Sequence, residues 1–131
     1  MADGFLGLVR GNVVNRSKNG VVLCWVQDDD GIDIFELGPN RMSPPDVDVD
    51  AVRAIPGTKL LGVTGWFKFS DFNTASVDGE GHNMNLDFTF GSPRRSDVLS
   101  DEKMMELGGE PGKSINTFWQ RGTAISWGRR L

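Results

Sequence analysis

The sequence predicts a mainly β protein built on one hydrophobic core, and three observations predict it. Glycine makes up 17 of the 131 residues, roughly double its usual share, and so many glycines mark many turns. Apolar residues gather in short runs of alternating parity more often than at helical spacing. The length is that of a single domain, and 38% apolar with 24% charged residues is an ordinary globular composition, which excludes disorder along the whole chain.

The first signal runs from Phe5 to Gln27, rich in Val and Leu and interrupted at Lys18-Asn19-Gly20. Asn-Gly between β-branched residues predicts a hairpin, because both loop residues must take positive φ. A two-residue loop there would set Arg16 against Leu23 and Val14 against Trp25. Gly11 within the first arm suggests a bulge or a bend. A second turn at Asp28 to Gly31 leads into a third strand, Ile32 to Glu36. The stretch Leu37 to Gly57 reads as irregular, with four prolines, and Val49, Val52 and Ile55 fall at the spacing of a short helix over Asp46 to Ile55. Pro56-Gly57 would stop it.

A fourth strand is expected over Lys59 to Phe69, with Leu61, Val63, Phe67 and Phe69 on the core side and Leu60, Thr64, Trp66 and Lys68 opposite. Asp71 to His82 reads as a polar connection. Asn83 to Phe90 then alternates cleanly, with Met84, Leu86, Phe88 and Phe90 inward against Asn83, Asn85, Asp87 and Thr89, the pattern of a strand with one wet face. Ser100-Asp101-Glu102 before an apolar pair predicts an N-capped helix, stopped by Gly108-Gly109.

Strand, strand, strand, short helix, strand, strand is the order of the OB-fold, a small five-stranded Greek-key barrel. The stretch Pro56 to Phe69 also looks like the fourth strand of such barrels. The expected organisation is an OB-like barrel over residues 1–91, then a C-terminal helix and a basic aromatic docking tail over 92–131, within one compact unit. An SH3-like barrel or a small sandwich is the alternative.

Composition narrows the chemistry. No apolar run reaches the ~20 residues of a membrane helix, and the opening residues carry no basic-then-apolar leader, so a soluble protein without a signal peptide is expected. One cysteine, Cys24, excludes an intramolecular disulfide and any multi-cysteine zinc site; it fits a small core residue of a reducing compartment or an assembled particle. One histidine, His82, excludes two-histidine metal motifs. Gly112-Lys113-Ser114 lacks the glycine that a phosphate loop needs five residues earlier, and Pro111 removes an amide donor, so it reads as a turn. Asp28, Asp29, Asp30 and Asp33, and Asp46, Asp48 and Asp50, do not supply a calcium loop's ligand set and read as solvated loops. No nucleophile can be placed beside a base. No catalytic residue, cofactor or metal is expected.

Charge distribution is more informative than the net charge of −4. Residues 111–131 carry four basic residues and no acid, so the rest of the chain has a charge of −8. The leading expectation is a non-enzymatic structural or binding module. Its tail, through Phe118, Trp119, Trp127, Arg129 and Arg130, would dock onto a second copy or a larger assembly such as a virion or tail-like tube. In this expectation the aromatic rings are buried and the arginines face acidic loops. The alternative is a single-stranded nucleic-acid binder that stacks bases on Trp66 and holds phosphate with Lys68, Arg10 and Arg16. Its acidic balance disfavours that reading.

Overall fold

The computed structural model describes residues 10–28, 31–108 and 127–131. Among these, ten strands form two sheets, with one α-helix and no closed barrel. The strands are β1 (Asn12–Asn15), β2 (Val22–Asp28), β3 (Gly31–Leu37), β4 (Arg41–Met42), β5 (Ala51–Ala54), β6 (Lys59–Leu60), β7 (Phe67–Lys68), β8 (Thr74–Asp78), β9 (Asn83–Phe88) and β10 (Arg129–Arg130). The helix α1 spans Asp101–Gly108. The first sheet has the order β10-β4-β1-β8-β9-β6 and the second β3-β2-β5-β7.

Alternation in β2 explains how the layers stack. Val22 and Cys24 point into a core with Val13, Val52, Ala75, Val77, Met84 and Leu86, drawn from both sheets. Leu23 and Trp25 point the other way, into a second cluster with Ile32, Ile34, Ala51, Trp66 and Met104 of α1. The second sheet is therefore apolar on both faces, covered by a sheet on one side and by the helix on the other. Ser100 caps that helix as the sequence predicts, its Oγ accepting the Lys103 N–H at 3.1 Å.

The expected first hairpin is not formed. β1 pairs with β4 and, in parallel, with β8, whereas β2 pairs with β3 and β5 in the other sheet. A buried polar knot redirects the chain between them. Asn15 Nδ2 donates to the carbonyls of Gly20 (3.0 Å) and Leu37 (2.9 Å), and its Oδ1 accepts from the Ser17 hydroxyl at 2.6 Å. These bonds satisfy carbonyls that would otherwise lack partners in the core. The hairpin forms one turn later, with β2 and β3 in register from Val22↔Leu37 to Asp28↔Gly31.

Three further expectations are corrected. Asp46 to Ile55 contains the buried strand β5 instead of a helix, because both its parities are apolar or paired. Lys59 to Phe69 is a corner, not one strand: β6 joins the first sheet and β7 the second. The turn is made by Leu61 and Gly62, both at positive φ, so the expected parity is lost. The polar connection after Asp71 contains β8, whose Ala75 and Val77 are fully buried. Gly11 marks a close approach: a Cβ there would run into the Val49 carbonyl.

Candidate functional site

The outer face of the second sheet, which the nucleic-acid alternative needs open at Trp66, is closed. Trp66 has no exposed surface. Its ring meets Trp25 edge-on with centroids 5.2 Å apart, and its backbone exchanges two hydrogen bonds with Leu99. Its indole N–H donates to Asp101 Oδ1 at 2.8 Å. The same carboxylate receives the Arg53 guanidinium in a two-pronged pair at 2.8 and 3.1 Å. This Arg53–Asp101–Trp66 unit fastens the start of α1 to β5, and bidentate geometry makes it a directional joint. Trp66 is thus a packing residue, and a stacked base cannot reach it. Its sequence signal was ambiguous because Arg53 and Asp101 lie 48 residues apart.

Of the other residues proposed for nucleic acid, Lys68 is exposed and Arg16 is exposed at the end of β1, while Arg10 is half-buried ahead of β1. The structure does not gather them around an open aromatic ring. Lys68 instead borders a cleft of about 360 Å³ with Trp25, Gln27, Asp50, Phe69, Met104 and Leu107.

Near that cleft, chain reversal brings Asp48, Asp50 and Asp71 together, with carboxylate oxygens within 4.8 Å of one another. Asp48 accepts the Gly11 N–H at 2.7 Å and Asp50 the Gln27 N–H at 2.9 Å. Burial pushes the carboxyl pKa of Asp48 and of Asp50 above the ordinary range, and the charge of Asp71 pushes the same way. Asp48 and Asp50 are half-buried, not the solvated loop residues that the sequence suggests. Asp71 was not foreseeable, since its position depends on the β6–β7 corner.

Phe72, which directly follows Asp71, and Phe90 are exposed aromatic residues. Phe72 is 61% and Phe90 65% exposed. The expected inward place for Phe90 is not taken, because β9 ends at Phe88. Asn73, itself buried, binds the two segments: its Nδ2 donates to the Phe90 carbonyl and its Oδ1 accepts the Phe90 N–H, both at 2.9 Å.

At the other end of the chain, Trp127 stacks on Phe35 with centroids 4.6 Å apart and planes 6° from parallel. β10 follows and pairs with β4, Arg129 opposite Met42 and Arg130 opposite Arg41. Gly128 fits where a Cβ would collide with the Met42 carbonyl and lie 2.7 Å from Leu37 Cδ1. Trp127 is therefore partly buried on its own chain. Arg129 and Arg130 are exposed, but Arg129 reaches the Met42 sulfur at 3.7 Å, and neither pairs with a described carboxylate. Phe118 and Trp119 lie outside the described residues, as does Gly112-Lys113-Ser114.

Cys24 is fully buried, and burial pushes its thiol pKa far up, which makes it a poor nucleophile. His82 is exposed in the turn before β9. Among the described residues, no helix is long and apolar enough to cross a membrane. The chain matches no protein-family model, and no curated protein or solved structure is significantly similar to it.

Proposed function

We propose that the chain is a non-enzymatic structural module that associates with further copies of itself within a larger assembly, a virion or tail-like particle being the type of setting that suits it. The observation that carries this reading is the edge of the first sheet. β10 ends that sheet with two exposed arginines, on a chain whose residues 1–110 have a charge of −8. A short basic edge strand attached to an acidic body favours contacts between the edge of one copy and the body of the next. Head-to-tail contacts of this kind build rings or open filaments according to the rotation between copies.

The OB-like barrel draws no support from two sheets without a closed barrel, and the nucleic-acid reading none from a closed Trp66 face. Native mass spectrometry of the full chain, compared with Arg129→Glu/Arg130→Glu, tests it. Oligomers that disappear in the charge-reversed variant are expected. Identical monomers in both samples would refute it.

A further inference from the structure

Phe72 and Phe90 are the two most exposed large apolar side chains among the described residues. Their exposure is not that of loose loop ends. Asn73 is 5% exposed and ties the Phe72 turn to the Phe90 segment with two 2.9 Å bonds, while its Oδ1 also accepts the Thr74 N–H at 2.9 Å. Close to them in the chain, Phe69 and Phe88 turn inward and pack with ring centroids 5.6 Å apart. Phe72 also sits at φ 67°, a left-handed conformation that an aromatic residue adopts at a cost and that Asn or Gly would adopt readily. Two exposed aromatic residues on hydrogen-bonded segments, one of them in a strained conformation, are a liability for an isolated chain and an asset for a docking surface.

The surroundings of the rings define what would cover them. Asp71 directly precedes Phe72, and its carboxylate lies within 4.8 Å of those of Asp48 and Asp50. An exposed ring that directly follows one member of a three-carboxylate cluster fits a segment that is both aromatic and basic. The chain contains one: residues 111–126 hold Lys113, Arg121, Ile115, Phe118, Trp119 and Ile125 and no acid. Among the described residues, nothing covers either ring.

We propose that the Phe72–Phe90 surface, with the carboxylates of Asp48, Asp50 and Asp71 at its border, is the docking site for the basic aromatic segment 111–126 of a second copy. The proposal rests on the assembly reading and adds a second contact beside that of the β10 edge. The aromatic side chains supply contact area, and the carboxylates orient the segment through Lys113 and Arg121.

The test uses the full chain and a dye-labelled synthetic peptide of residues 111–126, followed by fluorescence anisotropy. Saturable binding that weakens with added salt is expected. Phe72→Asn/Phe90→Ser should weaken it about tenfold or more, the scale of losing central aromatic contacts. This variant should fold at least as well, since Asn accepts the left-handed conformation, and a thermal melt verifies that. A peptide with Lys113→Glu and Arg121→Glu should also lose binding. No binding to the wild-type chain, or equal binding to the folded double variant, overturns the proposal. Sedimentation separates the two readings: a wild-type chain that self-associates as strongly as the double variant removes this surface but keeps the assembly. A wild-type chain that stays monomeric removes both.

Discussion

Asp101→Ala is expected to be among the most damaging single substitutions in this protein. Asp101 holds the Arg53 guanidinium at 2.8 and 3.1 Å and accepts the Trp66 indole N–H at 2.8 Å. The Arg53 side chain is only 8% exposed and the Asp101 side chain 19%. Removing one partner of a buried pair costs about 3–5 kcal/mol, and the residual exposure of Asp101 argues for the lower end. The orphaned indole N–H adds about 1 kcal/mol. A total of about 3–4 kcal/mol corresponds to a fall in melting temperature of about 10–14 °C for a chain of this length. Denaturant unfolding followed by tryptophan fluorescence suits the measurement, because Trp25 and Trp66 share the affected cluster. Arg53→Met/Asp101→Leu should recover most of the loss, since an apolar replacement leaves no buried charge. A loss below about 1 kcal/mol for Asp101→Ala would place the pair among surface ion pairs and refute the reasoning.

Gly128→Ala should release β10, because the site combines φ 89° with a collision against Met42; faster amide exchange at Arg129 and Arg130 with unchanged exchange in β2 is the expected readout. Asp48 and Asp50 bind a proton more tightly folded than unfolded, so they should make stability fall as pH rises from the ordinary carboxyl range through their raised values. Asp48→Asn keeps an acceptor for the Gly11 N–H and should flatten that slope while raising stability at neutral pH; denaturant midpoints across pH check both. Cys24 should resist a thiol reagent at neutral pH until the chain unfolds, so modification at the rate of a small exposed thiol would contradict its burial.

Local signals were legible where one residue's neighbours along the chain decide its fate. The β2–β3 turn, the clean alternation of β9 and the Ser100 cap are all decided within a few residues. The first hairpin was misread because Asn15 and Ser17 engage carbonyls of Gly20 and Leu37, and a side-chain knot of that kind leaves no periodic trace. β5 resembled a helix because Val49, Val52 and Ile55 sit at a spacing that both a helix and a doubly covered strand can use. The corner between β6 and β7 turned a single apolar run into two elements in different sheets. For the candidate surface, the opposite charges of body and tail were visible in composition. The meeting of Asp71 with Asp48 and Asp50, and the outward turn of Phe72 and Phe90, depend on that corner and on Asn73. They became visible only with the fold.

Sedimentation velocity of the full chain over a dilution series, at low and at high salt, tests the central claim most directly. The account predicts a species that grows with concentration and shrinks as salt screens the basic segment from the acidic body. A single monomeric species, unchanged across concentration and salt, would contradict it.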